Sequence, residues 1–93
     1  MNTTGKIYAI CPMQEGTSEN GNYWCKQEIV VEGTDGNHKK LAVTFLGEER
    51  VKMLEGLRVG DMVSVEWAAE SEEYKERWYT KLKGYRIEAY QKI

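Results

Sequence analysis

Hydrophobic and polar residues alternate along most of this chain with the period of two that is typical of β-strands buried on one face. The clearest example, MVSVEWAA, begins at Met62 and places Val63 and Val65 on the same face. Five such segments can be separated, and turn-forming residues or a proline lie between them. The predicted strands cover residues 6–11, 23–32, 39–46, 62–69 and 77–89.

The connections between these strands are rich in polar and turn-forming residues. Residues 16–22 (GTSENGN) predict a loop, and the pair Asp35-Gly36 predicts a hairpin turn that needs positive φ. Residues 70–76 (ESEEYKE) predict a polar loop before the last strand. Within that last strand, Gly84 predicts a bulge or a bend.

One segment between the third and fourth strands departs from the period of two. Val51 and Leu54 lie three residues apart, which places them on one face of a helix. Glu48 lies in the first turn, where the helix dipole favours an acidic side chain, and Gly56 follows as a stop. The sequence therefore predicts one short helix of about two turns over residues 48–55.

The order of elements predicts the architecture. Five strands with a short helix between strands 3 and 4 are the layout of the OB-fold, a small and partly open barrel. An SH3-like barrel fits the number of strands but seldom carries a helix at that position. We therefore expect an all-β, five-stranded OB-fold barrel that forms a single domain over residues 1–93.

The chain has two cysteines, Cys11 and Cys25. If the first hairpin closes symmetrically about Ser18, these two residues face each other across the strands, within reach of a disulfide. A reduced pair that fills part of the core is the interpretation we favour, with a functional disulfide as the alternative. No Cys-x-x-Cys motif or Cys/His cluster offers a zinc site, so we expect neither a metal nor a cofactor.

Charge and hydropathy exclude several classes of protein. The net charge of −2 excludes a protein that binds nucleic acid through an overall positive charge, so any anion-binding surface must be local. No apolar run reaches the roughly 20 residues of a membrane span, and the N-terminus lacks the layout of a secretion signal. We expect a soluble, cytoplasmic protein that does not bind membranes.

Four segments of the chain are distinctive: residues 4–7 (TGKI), 21–28 (GNYWCKQE), 59–65 (VGDMVSV) and 77–80 (RWYT). They resemble a family of short bacterial proteins known only as a domain of unknown function. That family is similar to single-stranded-DNA-binding proteins. The resemblance covers nearly the whole chain and implies the OB-fold together with binding of single-stranded nucleic acid.

A single-strand binder needs cations for the phosphates and exposed aromatic faces for the bases. Residues 61–76 carry six acidic side chains and one lysine, whereas residues 77–93 carry five basic side chains and one acidic one. The last strand is therefore the basic element. By alternation Tyr79 shares a face with the basic residues Arg77, Lys81 and Lys83, and we expect Trp67 and Trp78 in the core. The candidate nucleic-acid-binding residues are Trp24, Lys26, Tyr74, Lys75, Arg77, Tyr79, Lys81 and Lys83.

Other functions fit the same residues. Alternating basic residues also form solvated faces or protect a sheet edge, and the acidic residues 70–76 would repel phosphate if they lined the groove. A protein-interaction module without a nucleic acid ligand is the main alternative, since exposed aromatics and free edge strands also join subunits, including copies of one chain. Oligosaccharide binding is permitted by the fold, and the sequence does not distinguish DNA from RNA.

Catalysis is not expected. The one histidine, His38, lies in a predicted turn, and no serine or cysteine has an evident histidine and acidic partner in the sequence. The carboxylate pair Glu48 and Glu49 lies at a helix start, where solvated charge explains it. We therefore predict a binding protein with no catalytic residues.

Overall fold

The computed structural model describes residues 1–34 and 39–90. The predicted turn at Asp35-Gly36 and the histidine at position 38 lie outside the described residues. Six strands and one short helix follow one another through these described residues. They are β1 (Asn2–Ile10), β2 (Gln14–Thr17), β3 (Tyr23–Gly33), β4 (Lys40–Leu46), α1 (Glu48–Lys52), β5 (Met62–Tyr74) and β6 (Arg77–Ala89).

Five of these strands close into a ring, and β2 is added at its side. β1 pairs with both β3 and β5, β5 pairs with β6, and β3 pairs with β4, all antiparallel. β4 meets β6 in parallel at Thr44 and Lys83, which closes the ring. The predicted five-stranded OB-fold barrel with a helix after its third ring strand is confirmed. Within the described residues no helix is long and apolar enough to cross a membrane.

The core lies inside the ring and is built from the inward faces that the alternation predicted. Phe45 is fully buried at its centre. α1 buries none of its own residues, and Leu54 in the turn after it covers the barrel instead. The other buried members of the core are Ile7, Ile29, Val31, Val43, Val63, Val65 and Ile87.

The helix is shorter than predicted. It ends at Lys52 rather than at residue 55, because the next amides bond three residues back instead of four. Met53 N–H donates to the carbonyl of Arg50, and Leu54 N–H donates to the carbonyl of Val51. This tighter winding turns Leu54 toward the core.

Gly84 lies beside the bulge that the sequence predicted. The register of β5 and β6 shifts between Glu66, which pairs with Arg86, and Trp67, which pairs with Gly84. Tyr85 is therefore the extra residue on β6. A Cβ atom at Gly84 would lie 2.5 Å from the ring of Phe45, so the largest core side chain occupies the space that the missing side chain leaves.

The predicted register of the first hairpin is wrong. Gly16 pairs with Trp24, so the hairpin centres two residues later than Ser18, and the first two residues of the predicted 16–22 loop belong to β2. The shift follows from the turn, in which Ser18 N–H donates to the carbonyl of Asn22. Cys25 therefore faces Glu15 rather than Cys11. Both cysteines are free, Cys25 buried and Cys11 half-buried.

The predicted polar loop at residues 70–76 is also wrong. β5 continues to Tyr74, and the turn is the two-residue Lys75-Glu76, with φ of 50° and 64°. Positive φ at both positions is the geometry of a tight hairpin turn, normally signalled by Asn-Gly or Asp-Gly rather than Lys-Glu. Residues 70–81 thus form an exposed two-stranded projection, called the arm below.

Trp78 corrects a further expectation about the core. It lies on the arm beyond the barrel and is 69% exposed, because none of the other described elements covers this part of β6. Trp67 lies within the barrel wall, is half-buried against the core, and donates its indole N–H to Thr3 Oγ1 over 2.9 Å. The same residue type is therefore partly buried in the barrel wall and exposed on the arm.

Candidate nucleic-acid interface

The outer face of β3, β4 and β6 forms one continuous surface. Glu28 on β3 pairs with Thr44 on β4, and Thr44 meets Lys83 on β6. Paired residues point to the same side of a sheet, so these three side chains lie in one row on the outside of the barrel. Lys26 and Trp24 also lie on this face. Cys25, which stands between them in the sequence, is buried on the core side, and neighbouring residues of a strand point to opposite faces.

The arm continues this outer face beyond the barrel. Tyr74 pairs with Arg77, Glu72 with Tyr79, and Glu70 with Lys81. All of these residues lie on the side of Lys83, whereas Trp78 pairs with Glu73 on the opposite side of the arm. The predicted aromatic and basic residues of the last strand therefore do share one face.

The structure brings the candidate residues together as two groups rather than one patch. Trp24 lies four residues from Glu28 along β3, and Tyr79 lies four residues from Lys83 along β6. Because β3 and β6 run in opposite directions through this row, the two groups lie on opposite sides of it. Eight residues of strand correspond to about 26 Å. Trp24 and Lys26 form the first group, called the β3 group, and Tyr74, Lys75, Arg77, Tyr79 and Lys81 form the second, the arm group.

Each group combines an exposed aromatic ring with a cation. Trp24 is 39% exposed, and Lys26 Nζ lies 5.9 Å from its ring centre. In the arm group Lys75 Nζ lies 5.4 Å from the ring centre of Tyr74, and Tyr79 is 47% exposed. A ring with a neighbouring ammonium group can stack on a base while the cation meets a phosphate.

Gly16 of β2 determines how the ring of Trp24 lies. A Cβ atom at Gly16 would approach the indole to 2.7 Å, so the ring rests directly on the backbone of β2. One face of the indole is thereby supported. The short strand β2, which the sequence did not predict, thus positions the β3 group.

A second contact ties β2 to β3. The hydroxyl of Tyr23 donates a hydrogen bond of 2.9 Å to Glu15. That hydrogen bond and the negative charge of Glu15 favour the neutral phenol and raise the pKa of Tyr23 to about 12. The hairpin below the Trp24 ring is therefore closed by a side-chain bond as well as by its backbone.

Acidic side chains of β5 neutralise part of the positive charge of β6. Lys83 pairs with Glu70 at 2.8 Å, and Lys81 pairs with Glu72 at 3.5 Å. The hydrogen bond and charge of Glu70 raise the pKa of Lys83 above its ordinary value. Within the described part of the chain, the remaining candidate cations form no ion pair; these are Lys26, Lys75 and Arg77.

A surface cavity of about 250 Å³ opens next to the β3 group. Sequence reasoning identified Lys26 but missed the rest of this site. Glu28 and Thr44 could have been found, since alternation puts them on the face of Lys26, but Gln14 depends on the unpredicted strand β2. The cavity is lined by Cys11, Pro12, Gln14, Lys26, Glu28 and Thr44.

The described residues hold no group of three or more His, Cys, Asp or Glu side chains arranged to bind a metal ion. The outer surface offers aromatic rings, ammonium and guanidinium groups, and the cavity beside the β3 group. These groups bind by stacking, charge and hydrogen bonds.

A family model described as Domain of unknown function (DUF3127) matches residues 2–88 of the chain. No curated protein matches its sequence.

Solved structures resemble the chain over nearly its whole length. The mitochondrial single-stranded DNA binding protein Rim1 from S. cerevisiae is 24% identical, with a TM-score of 0.67 over 96% of this chain and 91% of that one. The second OB-fold domain of replication protein A from Methanococcus maripaludis is 13% identical, with a TM-score of 0.68 over 99% and 84%. The dimeric N-terminal domain of PriB from Thermoanaerobacter tencongensis is 17% identical, with a TM-score of 0.58 over 99% and 96%.

Proposed function

The chain belongs to the family Domain of unknown function (DUF3127), and from its OB-fold and its outer surface we propose that it binds single-stranded nucleic acid, with single-stranded DNA as the ligand. The observation that carries this proposal is the pairing of an exposed ring with a cation in both groups of the outer face. The likeness to a structure named as a single-stranded DNA binding protein supports DNA as the ligand.

The proposed mechanism divides the work between the rings and the cations. Trp24 and Tyr79 stack on bases, and each stack contributes about 1–3 kcal/mol without regard to sequence. Lys26 and the arm cations Lys75 and Arg77 contact phosphates. A strand that passes both groups crosses the row of Glu28, Thr44 and Lys83 between them.

The ion pairs between β6 and β5 determine how strongly Lys81 and Lys83 bind phosphate. Lys81 and Lys83 can exchange a carboxylate for a phosphate, but Glu72 and Glu70 remain nearby and oppose the incoming charge. We therefore assign most of the phosphate binding to the cations without an ion pair. This division makes the affinity moderate and dependent on salt.

The first test is a fluorescence-anisotropy titration of a labelled 30-nucleotide strand of mixed sequence at several salt concentrations, with tryptophan emission followed in parallel. We expect tryptophan quenching, and a slope of log K against log salt of about −2 if three cations act, or about −3.5 if all five do. An RNA strand of the same sequence is the comparison ligand. Absence of binding even at low salt contradicts the proposal.

We propose a non-catalytic role in the cytoplasm. Rim1, to which the chain is similar, is named as a DNA-binding protein and not as an enzyme.

A protein-interaction module is the second candidate, favoured by the 69% exposure of Trp78 on the face of the arm opposite Tyr79. Strand β2 also lies at one end of the sheet order, where its outer edge can pair with another strand. The similar PriB domain is described as dimeric. In this second candidate function, copies of the chain would join through the arm or through the β2 edge.

Sedimentation at high protein concentration tests this second candidate with Trp78→Ser. If the arm joins two copies, the unmodified chain sediments as a dimer and the variant as a monomer, because the exposed indole is lost from the contact. A monomer in both cases contradicts assembly through Trp78. Glu15→Pro tests the β2 edge separately. Proline lacks the backbone N–H that a strand from another copy would bond.

A further inference from the structure

The cavity beside the β3 group differs in charge from the rest of the proposed binding surface. Lys26 and Glu28 both line it, two residues apart on the same face of β3. Among the described residues, Glu28 forms no ion pair, and its carboxylate accepts only a long contact of 3.9 Å from the Cys11 thiol. A carboxylate with free acceptor capacity thus lies next to an ammonium group inside one cavity.

A carboxylate at this place excludes a phosphate and selects a different part of a nucleic acid. An ionised carboxylate accepts hydrogen bonds and donates none, so it repels the phosphate backbone. Its two oxygens can be satisfied together by two neighbouring N–H donors. The chemistry of the cavity therefore favours the edge of a base.

The four bases offer this pair of oxygens different edges. Guanine presents two adjacent donors, N1–H and the N2 amino group, with the acceptor O6 beside them. Cytosine and adenine present one amino group next to a ring-nitrogen acceptor, and thymine presents one N–H between two carbonyl oxygens. Only guanine can satisfy both oxygens of Glu28 while its O6 accepts a hydrogen bond from Lys26.

We propose that this cavity binds the Watson–Crick edge of a guanine base in a single strand, with Glu28 accepting from N1–H and N2–H and Lys26 donating to O6. The ammonium group of Lys26 has three N–H donors, so a second one contacts the phosphate outside the cavity while the first binds O6. Gln14 and Thr44 supply further polar groups at the wall of the cavity. Trp24 lies two residues before Lys26 on the same outer face, so the neighbouring base can stack on the indole while guanine occupies the cavity. This inference rests on the proposed function and adds a base preference to it.

The test compares two labelled 30-nucleotide strands, one of thymidine alone and one with dG at every fourth position so that guanine runs are absent. For the unmodified chain we expect the guanine-containing strand to bind about 5- to 100-fold more tightly. In Glu28→Gln the ratio of the two affinities falls to about twofold or less, because an amide replaces one acceptor oxygen with a donor. The ratio is the readout, since removing a negative charge strengthens binding to both strands.

Glu72→Gln is the matched control, because it removes the same charge from the outer face outside the cavity. It should leave the preference for guanine unchanged. Equal affinity of the unmodified chain for both strands, or an unchanged preference in Glu28→Gln, overturns the guanine site while single-strand binding stands. If neither strand binds at low salt, the proposed function fails together with this inference.

Discussion

Gly84→Ala will destabilise the barrel by about 1–3 kcal/mol, the usual cost of overpacking a well-filled core. The added methyl group would lie 2.5 Å from the ring of Phe45, which is fully buried, so the ring or the strand must shift to make room for it. The strand bends at this place because Tyr85 is inserted next to it, so a shift of the backbone would also disturb the bulge. Urea unfolding followed by circular dichroism measures the loss.

A double-mutant cycle with Phe45→Leu isolates the contact between these residues. Phe45→Leu alone removes volume from the core and destabilises it by forming a cavity. In the double variant the alanine methyl group occupies part of that volume, so the total loss should be smaller than the sum of the two single losses. If the two losses of stability are additive, or if Gly84→Ala is as stable as the unmodified chain, the ring of Phe45 does not require glycine at position 84.

Replacing Trp24 and Tyr79 together with alanine should produce the largest loss of affinity for a single strand. Each stack is expected to contribute about 1–3 kcal/mol, which corresponds to about 5- to 150-fold in the dissociation constant. The β3 group and the arm group lie on opposite sides of the Glu28–Lys83 row, and residues so far apart contribute independently. The two losses should therefore add, and the anisotropy titration at fixed salt measures them.

Trp78→Ala is the matched control for this pair, because it removes a more exposed aromatic ring from the opposite face of the arm. It should leave the affinity for DNA unchanged. An unchanged affinity in Trp24→Ala, with the fold intact by circular dichroism, would remove the β3 group from the binding surface. A loss in Trp78→Ala as large as that in Tyr79→Ala would move the site to the other face.

The strands of the ring and their buried faces could be predicted because alternation is a local property. Val63 and Val65 are separated by one polar residue, and both are buried as expected. The distribution of aromatic and basic residues on the last strand was predictable for the same reason, since Tyr79 and Lys81 share a face whatever the strand pairs with. The fold class followed from the order of these elements.

The cavity and the two separate groups could not be predicted in this way. Gln14 joins Lys26 only through the register of β2, and that register depends on how Ser18 and Asn22 close the turn. The prediction centred the turn on Ser18 and thereby placed the wrong residues opposite each other. A small error in a turn changes every cross-strand partner, although it changes no residue's intrinsic preference.

The sequence by itself determined which side chains can face the core, the OB-fold order, and the identity of the aromatic and basic residues on the outer face. Only the tertiary structure decided that Trp78 is exposed, that Lys81 and Lys83 pair with Glu72 and Glu70, and that Glu28 lies in a cavity. The reason is that alternation assigns a side chain to a face of its own strand. Whether that face is covered, paired or open depends on the strands that lie beside it and on where they end.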